Sequence, residues 1–428
     1  MSQQKHGGKQ QLAIDIEAWA GYLSRMVLHR WLCTVVLCLL SAGVARADDW
    51  PRYRGPHLNG ISQEKDWSWN WPASGPKRLW KASVGQGFSN VAVANGRLFT
   101  LGSEEDTATV YCLDASSGRE IWKYSYPEPL NAHFYEGGVS TTPTIEGETV
   151  YVLGRQGDLF SFQAESGKIN WQKNIAKEIG AKVPEWGFAG APLVDGRSLV
   201  LNVGSAGVAV NKQNGKMIWA STNGPAGYAS PIPFNASQQK PVLIFSHREL
   251  VSVEPRTGKE IWRFPFQTEY DINAMDPLIY GGRIFISSHS QPGLMLKLLD
   301  GRPEVMWRSE DTLLHINSGV LFQDYLYVFS GSAGKNGDLR CLDLRNGEVK
   351  WKQGGLGVGS LSAAVNNKLI VLSAKGELVV AEASPERFKP LARAQIIGGK
   401  CWTAPVLANG KIYARNAKGD LVCVDVSR

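Results

Sequence analysis

Several things are scarce in this 428-residue sequence, and each scarcity removes a class of function. Between Asp48 and Arg428 no stretch carries a convincing helical period, so helical bundles and α/β folds are poor candidates. Lys and Arg outnumber Asp and Glu by 46 to 39, yet they never form a run, and nucleic acid is not an expected partner. His57, His133, His247, His289 and His315 are scattered without metal-ligand spacing, so no metal site is predicted. The Gly-rich stretches GVGS (357–360) and GSAG (204–207 and 331–334) lack the Lys and following helix of a phosphate loop and read as turns. Cysteine is rare: of six, only Cys112, Cys341, Cys401 and Cys423 lie beyond residue 47. Three of these recur two residues before an acidic position, in YCLD, RCLD and VCVD. Equivalent positions in different repeats stand too far apart to bridge, so these thiols are expected to be small buried hydrophobes.

The first 47 residues differ in kind. Arg25, His29 and Arg30 precede the apolar run WLCTVVLCLL (31–40), which is too short to span a bilayer comfortably and ends in SAGVARA. That order of charged, apolar and small residues predicts a secretory signal cut after Ala47, with Met1 or Met26 as the start. Neither Cys33 nor Cys38 follows the small residue that a lipoprotein signal needs, so no lipid anchor is expected and no membrane span after cleavage. The remainder carries 41 Lys and Arg against 37 Asp and Glu, a formal charge of +4.

What the sequence has in abundance is tryptophan, at regular intervals. Trp80, Trp122, Trp171, Trp219, Trp262, Trp307 and Trp351 follow one another at spacings of 42 to 49 residues. Each interval holds a small polar stretch, three apolar runs separated by turns such as Asn95-Gly96, and a last turn leading to the Trp. The period-two alternation of TVYVLG and DLFSFQ marks strands. Four antiparallel strands per 40 to 50 residues describe a propeller blade. The C-terminal unit has three strands and stops at Asp425, while GPKRLWKASVG (75–85) is an outer strand with no blade before it. The two fragments complete each other. The expected fold is therefore all-β: an eight-bladed propeller over 75–428, closed by that N-terminal strand, with 48–74 as a lead-in.

LDASSGREIW (113–122) sets Asp114, Gly118 and Trp122 four residues apart, and Asp343, Gly347 and Trp351 repeat the spacing. This pattern resembles the repeat of the pyrroloquinoline-quinone-type propellers, the tryptophan docking motif, over about residues 75–428. The resemblance implies that each Gly permits a tight turn and that each Trp ring packs against the neighbouring blade. Gln163, Asn211 and Glu254 replace the Asp in other copies, and Pro303 stands where a Gly is expected before Trp307. The quinone-dependent enzymes of that family hold their cofactor against a disulfide of adjacent cysteines beside a calcium ion. No two Cys are adjacent here and there is no C-x-x-C-H, so no cofactor is expected, although pyrroloquinoline quinone remains the alternative.

The segments entering the innermost strands should line the channel mouth. They bring Trp186, Phe188, Tyr228, Asn273, Asp276 and Trp402 forward as candidate binding residues. Asp271 and Asp276 form a carboxylate pair without a base, nucleophile or metal, and no catalytic residue is predicted. The reading that follows is a periplasmic or secreted monomer, similar to the noncatalytic BamB-like branch, that binds an envelope protein or peptide as a scaffold. A quinone-dependent oxidoreductase with an atypical site and a carbohydrate-binding surface module are its rivals.

Overall fold

In the computed structural model of the protein, the described residues are 48–428 apart from 134, 235–239 and 333–335. The predicted signal, with Cys33 and Cys38, lies outside the described residues, as does half of the second GSAG stretch. The described strands make eight sheets, each a four-stranded antiparallel blade, with a fifth strand added to one. Blade 1 runs from its innermost strand outward as Ala92–Ala94, Arg97–Glu104, Thr107–Asp114 and Glu120–Pro127. Blades 2 to 7 repeat that order over 144–174, 193–220, 232–265, 278–309, 320–353 and 360–395. Blade 8 takes Val406–Ala408, Lys411–Arg415 and Asp420–Asp425 from the C-terminal end and its outer strand, Arg78–Ser83, from the other. Arg78 pairs with Val424 and Ser83 with Asp420, so the predicted closure and the count of eight both hold.

The apolar cores lie between blades. One joins Phe99 and Val110 of blade 1 to Val150 and Phe162 of blade 2, and another joins Leu369 and Val379 of blade 7 to Tyr327 and Leu339 of blade 6. Trp122 shows how the repeated ring fastens a boundary. Its Nε1 donates to the Ala164 carbonyl at 3.0 Å, and the ring lies so close to Gly167 that an added Cβ would sit 2.6 Å from it. Trp80 on Gly118, Trp171 on Gly215, Trp219 on Gly258 and Trp307 on Gly347 repeat the arrangement. Gly is needed at Gly118 twice over, for its φ of +70° and for the ring against it. Cys112, Cys341 and Cys423 pair across the ladder with Trp122, Trp351 and Trp80, and all four described cysteines are free and buried.

Three boundaries depart from this scheme; between blades 6 and 7, Trp351 has no Gly beneath it, and its Nε1 donates to Ser384 O at 2.9 Å while its ring meets Phe388 at 5.9 Å. In blade 5 the last hairpin runs on to Leu299 and Arg302 and turns at Asp300-Gly301, so the blade has no Gly seat for Trp262; this is the copy marked by Pro303. Blade 7 carries Ala392 where the other outer strands carry Trp. In every blade the outer strand bulges one residue before this position, and the extra residues include Ile121, Ile261 and Met306, which are exposed. A bulge on an edge strand twists it away from pairing with another chain.

Among the described residues an α-helical turn, α1 (Ile175–Ile179), was not foreseen: Asn174 caps its start through Lys177 N, and Gly180, at φ +66°, ends it. The lead-in is the larger surprise. It crosses the end of the propeller opposite the entering segments. Trp50 exchanges backbone hydrogen bonds with Val93 of blade 1, Pro51 accepts from Ile145 of blade 2, and Arg54 Nη1 donates to Gly319 O of blade 6. Ile61–Ser62 then pairs in parallel with Ala363 and Ala364 of blade 7, and Glu64 accepts from Gly410 N of blade 8. A segment reading as a mere leader thus ties opposite sides of the ring together.

Candidate functional site

The segments entering the inner strands surround a cavity of about 310 Å³ on the axis. Seven of the eight blades contribute to its lining, and Tyr53 of the lead-in reaches it from the far end. Its wall is aromatic on two sides. Phe88 stacks on Trp402 with ring centres 5.1 Å apart and tilts against Tyr135 at 5.6 Å, while Trp186 meets Tyr228 edge-on at 5.8 Å. All five rings are only partly buried. Lys400 sits with Nζ 4.6 Å from the Trp402 ring centre and is held there by Glu136 at 2.7 Å.

Of the six predicted mouth residues, Trp186, Tyr228, Asp276 and Trp402 line the cavity. Phe188 and Asn273 do not. Gly187, at φ +76°, turns the chain so that Phe188 points away from the axis and is buried with Tyr151, Leu153 and Leu201 between blades 2 and 3. Asn273 is fully buried and acts as a staple: its Nδ2 donates to the carbonyls of Ser246, His247 and Phe266, and its own carbonyl accepts from Tyr228 and Ala229. Asp271 and Asp276 are not a pair. Arg248 grips Asp271 through two hydrogen bonds of 2.8 and 3.0 Å near the surface, whereas Asp276 faces the axis.

Asp276 is the chemically distinctive residue of the cavity. One carboxylate oxygen, Oδ1, accepts from Ser230 N at 2.8 Å; the other, Oδ2, is buried and has no hydrogen-bond partner. Burial pushes its pKa up to about 6, against the pull of the nearby Arg54 guanidinium. Arg54 supplies charge and no hydrogen bond, since its described donors go to Leu58 O and Gly319 O. The neutral polar groups around it each spend one atom on the backbone. Asn90 Oδ1 accepts from Val91 N, Thr142 Oγ1 from Asn90 N, Ser230 Oγ from Ala191 N, and Asn317 Nδ2 donates to Gly359 O.

Sequence reasoning missed Tyr53, Phe88, Tyr135 and His315. Phe88 and His315 stood in segments correctly placed at the mouth, but an aromatic beside Gly87 or Ile316 gave no separate signal. Tyr53 and Tyr135 come from outside those segments and arrive through long-range packing. His289 and His315, 26 positions apart, lie with tilted rings 5.0 Å apart, yet no group of three or more potential ligands able to hold a metal occurs among the described residues. The cysteines stand apart from one another with thiols pushed up to about 12 by burial, Cys401 among them.

Known proteins agree with this architecture. The family model described as outer membrane protein assembly factor BamB matches residues 72–174 and 132–353. The factor of that name from Yersinia pestis is 24% identical over 371 residues, covering 80% of this chain and 87% of its own. The crystal structure of BamB from Moraxella catarrhalis superposes with a TM-score of 0.60 at 16% identity, over 82% of this chain and 99% of that one. The quinohemoprotein alcohol dehydrogenase of Comamonas testosteroni superposes with a TM-score of 0.65 at 15% identity, over 90% and 82%, which is a likeness of fold. Docking rings, closure and family match converge, and the chain belongs to the outer membrane protein assembly factor BamB family of propellers.

Proposed function

We propose that the protein is an exported, noncatalytic scaffold of the cell envelope that binds another protein or peptide at the cavity face. The observation that carries this is the make-up of the site: a cavity lined by five partly buried aromatic rings, with Tyr53 of the lead-in among its lining residues. Partly buried aromatic rings around a concave centre are the usual anchors of protein recognition. The names of the relatives add that such propellers serve outer membrane protein assembly, and the partner sought is accordingly an envelope protein.

A quinone cofactor fits the lining badly. Pyrroloquinoline quinone is a planar tricarboxylate, while the described residues lining the cavity include a carboxylate, Asp276, and no Lys or Arg. The chain has no adjacent cysteines, and its described residues hold no metal-binding cluster beside the cavity. The test is capture from envelope extract with the purified propeller as bait. Wild type should retain a partner that Trp186→Ala and Trp402→Ala lose while keeping their melting temperature. Dye-linked turnover on adding the quinone with calcium would overturn the noncatalytic reading, as would mouth variants that retain every partner.

A further inference from the structure

Resting on the scaffold reading, we propose that the cavity receives a primary alkylammonium group, the side chain of a lysine presented by the partner, with its ammonium on Asp276 Oδ2 and its methylene stem along the rings.

Three observations select this chemistry. The first is the unmatched oxygen. A buried carboxylate oxygen without a donor is costly, and such groups in native structures call for an explanation. Arg54 keeps negative charge favourable on Asp276 without filling that oxygen's hydrogen-bonding position. What is missing is a donor approaching from the cavity, and a cationic donor forms the strongest bond to a carboxylate.

The second is the lining. Its neutral groups are few, and Asn90, Thr142, Ser230 and Asn317 each commit one atom to the backbone. A sugar brings many hydroxyls that need partners, and burying them unmatched would oppose binding. A lysine side chain brings one charged head and four methylenes. It asks for one acceptor and an apolar sleeve. Phe88, Tyr135, Trp186, Tyr228 and Trp402 supply the sleeve, and ring faces attract ammonium groups directly.

The third is that an ammonium from outside the lining already rests on one of its rings. Lys400 lies over Trp402 at 4.6 Å, which shows that this ring accepts a cation on one face. The volume of about 310 Å³ leaves room for a long unbranched side chain and the backbone on either side of it.

The test titrates the whole propeller, reading Trp fluorescence and heat, with four probes: Nα-acetyl-lysine N-methylamide, the norleucine analogue of the same stem without the charge, cadaverine as a free amine, and glucose. The lysine compound should bind at least tenfold more tightly than the norleucine analogue and glucose. Asp276→Asn, which keeps an oxygen for Ser230 N, should lose that preference at an unchanged melting temperature. Equal binding of lysine and norleucine compounds, or a preference for glucose, overturns the proposal, and the wild-type comparison decides this even if the variant fails to fold. Cadaverine binding tenfold more tightly than the lysine compound would overturn the side-chain source. If Trp186→Ala loses the envelope partner while Asp276→Asn retains it, the scaffold reading stands and the lysine assignment falls.

Discussion

The boundary between blades 1 and 2 and the boundary between blades 7 and 8 solve one packing problem with different residues. At the first, Trp122 leaves the outer strand of one blade and seats itself on the Gly167 turn of the next. At the second no such seat can exist. The outer two strands of blade 8 come from opposite ends of the chain and are joined by no turn, and blade 7 carries Ala392 where a ring would otherwise project. The lead-in fills the space. Trp67, fully buried, packs among Ile370, Val380, Ile412 and Val424, with Trp69 edge-on to it at 5.3 Å, and Ser68 N donates to Val426 O. An apolar boundary needs a large ring, and which part of the chain delivers it is negotiable.

The strongest way to break this equivalence is to remove the seam. A chain beginning after Gly85 lacks the outer strand of blade 8 and the whole lead-in, and it should lose its cooperative unfolding transition in calorimetry, because an open ring exposes two unpaired edges. Melting like the 48–428 chain would refute the closure. Next in size, Trp67→Ala and Trp122→Ala should each cost ~3–5 kcal/mol in chemical denaturation, the range for truncating a large core aromatic. A cost at Trp67 typical of surface residues would show that the seam does not depend on it.

Glycine substitutions sharpen the comparison between a regular boundary and a departing one. Gly118→Ala forces a side chain into the left-handed region, at ~1–2 kcal/mol, and drives its Cβ into Trp80, adding ~1–3 kcal/mol of overpacking. Gly301→Ala has a similar φ, +76°, but meets nothing within 4 Å, so only the backbone cost of about 1 kcal/mol should appear. Equal losses would mean that the ring is not seated on the turn. At the mouth, Trp186→Ala and Trp402→Ala should cost about 1 kcal/mol or less, since those rings are partly exposed.

Both boundaries also hold a buried carboxylate. Gln156 N donates to Glu128 where blades 1 and 2 meet, Gly410 N donates to Glu64 near the seam, and burial pushes each pKa up to about 7. A carboxyl raised in the folded state favours folding while protonated, and that contribution is lost as pH rises from about 4.5 through about 7. Asp114, held near 2 by Ser116 and Ser117, acts only at more acidic pH. The melting temperature should therefore fall between about pH 4.5 and about pH 7, and Glu64→Gln and Glu128→Gln should each reduce that fall. A steeper fall in either variant would contradict the assignment.

How much of this was legible beforehand follows from the range of the forces involved. The docking turn is local, so Asp114, Gly118 and Trp122 announce it within nine residues, and Pro303 marks the copy whose seat is missing. The mouth was legible by segment and not by side chain. Gly187 decides whether Trp186 or Phe188 faces the axis, and no pattern of polarity records that choice. The floor was illegible. Tyr53 becomes part of the cavity because Trp50, Arg54 and Ile61 are held by blades 1, 6 and 7, contacts separated in sequence by up to about 300 residues. The free oxygen of Asp276 likewise depends on where Arg54 spends its donors.

The pairing of Arg78–Ser83 with Asp420–Asp425 also has a meaning in time. A ribosome adds about 5–20 residues per second, so the first of these strands waits roughly 20 to 70 seconds for the second to be made. During that wait the edge and Trp67 have no partners, however well the intervening blades have formed. The period of exposure is set by the number of residues between the two strands, and a chain without Asp420–Asp425 never ends it.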